Sequence, residues 1–308
     1  MEILNTIIPI FSVILLGWLA RQKGFVPPEF LGPANRLVFY FAIPAMVFGA
    51  IAKGSLKTNF DPYVLGCTLT AVIVSFGLTW IIGLVIHISP RRSGTFIQSS
   101  FHGNLGYIGL AVAYYFLEPA GFTITTLLIG FIMILQNLLS VFVLQFYADS
   151  EHSFHSPGKI ISKIIGNPVI LSAIAGILFS LSGAALPVIL FRTLNIVSGM
   201  ALPLALLLIG ASLSFDLMKS TLGPVLLANF IKLILLPGIG LALYSIFQLP
   251  PDRYVPGLIL LASPSATISY VMAMEMNGDV DFAVAAISSS TLFSAVTFFI
   301  WLHITGIP

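Results

Sequence analysis

The stretch FHGNLGYIG, Phe101–Gly109, lies inside the uncharged run 93–117 and places three glycines within seven residues. The run is long enough to cross a bilayer, which takes about 20 apolar residues. Glycine weakens a helix, and in hydrocarbon every backbone group that a break releases needs a partner from protein, an ion or cavity water. The stretch therefore predicts a membrane helix that is broken near the middle of the bilayer.

A second interruption follows about 160 residues later, in LLASPSATISY, Leu260–Tyr270, where Pro264 stands between Ser263 and Ser265. Matching interruptions in two halves of a membrane protein indicate a substrate site near the midplane. The half-helices that start after the breaks would direct N–H groups and positive dipole ends at a ligand, which suits an anion. The alternative interpretation is ordinary small-residue packing with a mild proline kink.

The composition around these stretches predicts a membrane protein. Of the 308 residues, 58% are hydrophobic and 8% are charged, with a mean hydropathy of +1.05; soluble domains carry about 25% charged residues. We expect the first apolar run, 3–20, to be a resident helix and not a cleaved signal. The net charge of +2 without a basic run argues against nucleic-acid binding, and the single Cys67 against a disulfide framework or a cysteine-based zinc site. The sequence has no HExxH, GxSxG or Walker motif, so we expect no enzyme activity and no cofactor.

Charges and turn residues divide the chain into ten predicted spans, which gives an all-α membrane fold. The spans are 3–20, 32–51, 63–87, 93–117, 121–147, 167–182, 187–212, 222–247, 254–276 and 282–304. A polar linker over 148–166 separates a first half, 1–147, from a second half, 167–308.

The two halves resemble each other at a common offset. It is 159 residues from Pro44 to Pro203, 160 from Asn35 to Asn195, 160 from Phe122 to Phe282 and 162 from Asn5 to Asn167. Because each half has five spans, an odd number, the second half must enter the membrane with the opposite orientation. This predicts two inverted five-helix repeats.

The distribution of lysine and arginine predicts the orientation, because cytoplasmic loops carry the excess of positive charge. We expect both termini outside (periplasmic) and the linker in the cytoplasm, in the cell (inner) membrane. Eight basic residues then lie on the cytoplasmic side: Arg21, Lys23, Arg36, Arg91, Arg92, Lys159, Lys163 and Lys219. Three lie outside: Lys53, Lys57 and Arg253.

The candidate site consists of the polar and small residues at the two interruptions. The Asn104 amide could bind a substrate carboxylate or cap the helix that begins near Leu105. Ser265 and Thr267 are the matching hydrogen-bond donors in span nine. The predicted substrate-binding residues are Asn104, Gly103, Gly106, Tyr107, Ser263, Pro264, Ser265 and Thr267.

Three ionisable residues are candidates for proton or charge coupling, namely His102, Lys232 and Glu275. His102 could take up a proton or be a packed neutral histidine. Lys232, in the middle of span eight, could attract an anion, pair with Glu275, exchange a proton or snorkel to the interface.

Buried amides are expected to form helix-to-helix hydrogen bonds; they are Asn35, Asn195, Gln136 and Asn137. We expect no metal site.

Four segments resemble the auxin efflux carrier family of the bile acid/auxin carrier-like superfamily. They are IPIFSVILLGWLARQKG at 8–24, ANRLVFYFAIPAMVF at 34–48, GNLGYIGLAVA at 103–113 and ASPSATISYVMA at 262–273. The resemblance implies ten helices in inverted repeats, with broken helices four and nine crossing. It also implies a scaffold of helices 1, 2, 6 and 7, against which helices 3–5 and 8–10 move.

The resemblance also implies a function and a role for Asn104. Plant members export auxin, and bacterial relatives are associated with malate, malonate or similar acids. In plant members an asparagine at the helix-four crossover meets the substrate carboxylate, and Asn104 matches it. Plant members carry a second asparagine at the helix-nine crossover, where this sequence reads SPSAT, 263–267, which argues against plant-like auxin recognition.

The combined expectation is a secondary carrier for a small organic anion, working by alternating access in the lipid bilayer. H⁺ and Na⁺ both stay open as coupling ions, and so does assembly as a homodimer. The alternatives are a sodium-coupled symporter of the bile acid type and a membrane sensor that shares the fold without moving a substrate.

Overall fold

The computed structural model describes residues 2–53, 61–148, 166–214 and 222–306. Within these ranges every regular element is a helix. The helices are α1 Glu2–Gln22, α2 Pro28–Lys53, α3 Pro62–Val85, α4 Pro90–Phe101, α5 Leu105–Phe116, α6 Pro119–Tyr147, α7 Pro168–Leu181, α8 Val188–Ser212, α9 Leu222–Ile246, α10 Pro251–Ala262, α11 Ile268–Glu275 and α12 Val280–Ile304.

Seven of these helices are long and apolar enough to cross a membrane, namely α1, α2, α3, α6, α8, α9 and α12. Large apolar side chains on their outer faces are exposed, such as Ile81 and Leu84 on α3 and Ile189 on α8. In water such surfaces would drive aggregation, whereas lipid tails solvate them. The predicted all-α, multi-pass membrane protein is confirmed.

The predicted spans four and nine are each divided into two shorter helices. Span four consists of α4 and α5, separated at His102–Asn104, and span nine consists of α10 and α11, separated at Ser263–Thr267. The predicted linker, 148–166, falls almost wholly outside the described residues. The division into repeats at 147 and 167 therefore stays a prediction.

Prolines set where several helices begin. A proline at the first helical position has no N–H to satisfy, and its fixed φ already suits a helix. Six helices start in this way, at Pro28, Pro62, Pro90, Pro119, Pro168 and Pro251. Asp61 and Asn167 add side-chain caps to α3 and α7.

Helices α1 and α8 pack with their backbones in close contact at two glycines. A Cβ atom on Gly17 would overlap the Leu207 carbonyl, and a Cβ on Gly210 would overlap the Ile14 carbonyl. Small residues allow this approach between membrane helices, where dispersion contacts and not water exclusion hold the helices together.

An arginine anchors the start of the first helix of each broken pair. Arg92 on α4 donates from Nε to Asp279 Oδ2 at 2.8 Å, and Arg253 on α10 donates from Nε to Asp61 Oδ2 at 2.6 Å. Each carboxylate also caps a helix, because Asp279 accepts from Phe282 N of α12 and Asp61 from Tyr63 N of α3. These contacts fasten α4 to α12 and α10 to α3.

Candidate functional site

The two interruptions meet and pair through their backbones. Asn104 N donates to Pro264 O at 2.7 Å, and Ala266 N donates to His102 O at 2.9 Å. Gly103 and Ser265 form an antiparallel bridge between these bonds. Each break therefore satisfies backbone groups of the other, which is what a broken helix needs at membrane depth.

Gln136 on α6 satisfies two further groups of the first break. Its Nε2 donates to Phe101 O at 3.0 Å, and its Oε1 accepts from Gly103 N at 3.2 Å. The side chain is 1% exposed. Of the four amides expected to bond another helix, Gln136 does so through the backbone at a helix end, and Asn35 accepts from Tyr107. The expectation is wrong for Asn137, which donates within its own helix, and for the burial of Asn195, which is exposed. The adjacent amides Gln136 and Asn137 in the apolar stretch 119–148 were the signal, but sequence alone did not show which backbone Gln136 serves.

Serines perform the same task at the second break. Ser265 Oγ donates to Ser99 O at 2.8 Å, Ser263 Oγ donates to Leu260 O at 2.7 Å, and Ser290 Oγ of α12 accepts from Ser265 N at 3.1 Å. Ser263 and Ser265 are fully buried. Their hydroxyl hydrogens are therefore used on backbone carbonyls, and sequence reasoning missed the part played by Ser290.

Gly103 sits where the two breaks are closest. A Cβ atom at this position would lie 2.5 Å from Ser263 Oγ and 3.3 Å from Lys232 Nζ. Real side chains do not approach so closely, so a larger residue here would have to displace the Ser263 hydroxyl, which is bonded to Leu260 O.

A cavity of about 1540 Å³ reaches both breaks. Its wall includes most of the predicted site residues: His102, Gly103, Asn104, Gly106, Tyr107, Thr267 and Glu275. Two arginines that the sequence analysis assigned only to the cytoplasmic side, Arg21 and Arg36, also line it. Within the described ranges, Ser263, Pro264, Ser265 and Lys232 are not part of the wall.

Asn104 lines this cavity and has an unused donor. The side chain is 5% exposed, and its Nδ2 has no hydrogen-bond partner in the described part of the chain. It makes no side-chain cap on the helical turn that follows. A buried donor without a partner costs about 1–3 kcal/mol, so this amide is suited to an acceptor that a ligand would bring.

His102 and Tyr107 flank Asn104 and are held by hydrogen bonds. His102 Nδ1 shares a hydrogen bond of 2.9 Å with Ser140 Oγ of α6, and its ring stacks on Phe101. Tyr107 donates from its hydroxyl to Asn35 Oδ1 of α2 at 3.2 Å. Tyr107 lies in the π-helical turn Leu105–Gly109, and such turns are frequent at functional sites.

Lys232 lies in a second π-helical turn, Ile231–Leu235 of α9, and is fully buried. Its ammonium donates to Leu261 O at 2.8 Å, so the side chain points to the end of α10 and does not snorkel. Glu275, by contrast, is exposed at the end of α11. In the ranges that the structure describes, no group of three His, Cys, Asp or Glu side chains could hold a metal.

Comparisons with known proteins identify the family of this chain. A family model described as membrane transport protein matches residues 2–302. A Rhizobium meliloti protein named "Putative malonate transporter" is 27% identical over 305 residues, covering 96% of this chain and 93% of that protein. Transporters of Methanothermobacter thermautotrophicus and Escherichia coli, the latter named YfdV, are 22% and 20% identical, each over at least 96% of both chains. The chain belongs to the auxin efflux carrier family of membrane transport proteins.

Proposed function

We propose that this chain is a secondary carrier that moves a small carboxylate across the membrane by alternating access. One observation carries the proposal: Asn104, whose buried Nδ2 has no partner among the described residues, lines a cavity at the point where two broken helices meet. A carboxylate oxygen is the strongest acceptor that this amide could gain.

The surroundings of Asn104 support an anion. Helices α5 and α11 begin directly after the breaks, and helix starts carry free N–H groups and partial positive charge. Arg21 and Arg36 add two positive charges to the cavity wall and Glu275 adds one negative charge. The excess of positive charge raises the local concentration of anions. The name of the Rhizobium meliloti relative mentions malonate, a small dicarboxylate that serves as the first probe.

We extend the proposal to the architecture of ten spans in two inverted repeats, with α1, α2, α7 and α8 as the scaffold. The anchoring ion pairs support the span count, because each joins segments that the predicted topology places on one side. Arg92 and Asp279 belong to the cytoplasmic side, and Arg253 and Asp61 to the outside. Because Arg21 and Arg36 line the cavity, this conformation would open toward the cytoplasm.

Transport and binding are separated by measuring both on purified protein. In proteoliposomes loaded with unlabelled malonate, we expect exchange with external radiolabelled malonate, which a binding-only sensor cannot perform. Asn104→Ala should abolish the exchange, whereas Asn195→Ala is the matched control, because Asn195 is an exposed amide on α8. Binding of malonate without exchange would favour the sensor.

A further inference from the structure

The ends of α4 and α10 place two sets of helix-terminal carbonyls near one another. Helix α4 ends at Phe101 and α10 at Ala262, and the breaks that follow them are paired. The last carbonyls of a helix have no partners within it, and they carry the negative end of the helix dipole. In carriers built on broken helices, such carbonyl ends coordinate the coupling cation.

In this chain the Lys232 side chain places a positive charge near these helix ends. Lys232 Nζ donates to Leu261 O, in the last turn of α10, at 2.8 Å. It also lies 3.3 Å from where a Cβ of Gly103 would stand, and Ser263 Oγ lies 2.5 Å from the same point. The ammonium thus occupies the space between the two breaks, near the Leu261 carbonyl and the Ser263 hydroxyl. A sodium ion would use oxygen ligands of these kinds.

The burial of Lys232 indicates that this placement has a purpose. The side chain has no exposed surface, and an isolated charge in a membrane interior is retained only with a compensating interaction or a task. The negative dipole end of α10 supplies such a compensating interaction.

We propose that the Lys232 ammonium is a built-in cation that takes the place of a coupling sodium ion between the broken helices, so that the protein has no sodium site there. The inference rests on the proposed carrier function and deepens it, because a carrier whose own ammonium fills this position needs no coupling sodium ion there.

The test measures thermal unfolding of the purified, carboxylate-free protein in sodium, methylammonium and choline chloride at one ionic strength. We expect the wild-type protein to show the same Tm in all three salts. In Lys232→Ala the vacated position should admit a small cation, so Tm should be several degrees higher in sodium or methylammonium than in choline. Lys232→Met is the matched control: it fills the space without charge and should not respond to the salt.

Two results would overturn the proposal. A wild-type protein stabilised by sodium over choline would show that a sodium ion binds with the lysine in place, and this result does not depend on how the variants fold. A folded Lys232→Ala with one Tm in all three salts would show that no cation position exists there. Since no carboxylate is present, either failure is distinct from a failure of the carrier proposal, which the Asn104 variants test.

Discussion

Asn104 is the residue on which recognition depends most directly, because its amide is buried at the cavity wall without a partner. Asn104→Ala removes the donor while leaving the backbone bond from Asn104 N to Pro264 O. We expect malonate affinity to fall more than tenfold, since a hydrogen bond to a charged group contributes about 1.5–3 kcal/mol. Titration calorimetry on purified protein measures the change.

Asn104→Asp is the sharper companion variant, because it keeps the size of the side chain and replaces a donor with a negative charge. It should bind malonate more weakly than Asn104→Ala. Equal affinity in the wild-type protein and both variants would remove the Asn104 side chain from the site.

Gly103 permits the close approach of the two breaks. In Gly103→Ala the added methyl group would meet Ser263 Oγ and crowd Lys232 Nζ, and overpacking of this kind costs about 1–3 kcal/mol. We expect a lower Tm and loss of exchange activity. Gly66→Ala on α3 is the matched control, because its methyl group meets nothing within 4 Å and alanine favours a helix; a Gly103→Ala protein as stable as this control would contradict the tight approach.

At the scale of the elements, the broken helices depend on their neighbours. Gln136 bonds both sides of the first break, so Gln136→Leu leaves the buried Phe101 O and Gly103 N without those partners. Each unsatisfied group costs about 1–3 kcal/mol, and we expect a Tm that is lower by several degrees.

Asn137→Leu serves as the control for that variant, because the Asn137 amide donates to Met133 O within α6 itself. It should change the Tm little. If the two variants unfold at the same temperature, Gln136 does not stabilise the break.

The positions of the breaks could be predicted from the sequence, whereas their partners could not. Glycines and a proline in uncharged runs mark a weak helix through local propensity alone. The groups that satisfy the break come from residues far along the chain, such as Gln136 for Gly103 and Ser99 for Ser265. Lys232 shows the same limit: its place in the middle of span eight was predicted with snorkelling left open, whereas its contact with Leu261 depends on how α9 packs on α10.

At the scale of the whole molecule, the composition and the charged residues that separate the apolar spans predict the all-α membrane fold. The cavity could not be predicted in this way, because its wall joins α1, α2 and α7 with both breaks. Arg21 and Arg36 therefore entered the prediction only as markers of the cytoplasmic side. No local pattern shows that they face a cavity, because their position follows from packing between distant helices.

The predicted orientation can be tested on whole cells. In a Cys67→Ser background, cysteines placed at Glu151 or Lys159, both outside the described residues, should react only with reagents that enter the cytoplasm. The reason is the excess of lysine and arginine assigned to that side. Labelling of either position by an impermeant reagent added to intact cells would show that the termini lie in the cytoplasm instead.

The central claim is that a carboxylate binds at Asn104 between the paired breaks, and an experimental structure determined with malonate tests it most directly. The account predicts a carboxylate oxygen within about 3 Å of Asn104 Nδ2, inside the cavity and next to the starts of α5 and α11. Malonate bound elsewhere, with the Asn104 amide still unpartnered in a protein that exchanges malonate, would contradict it.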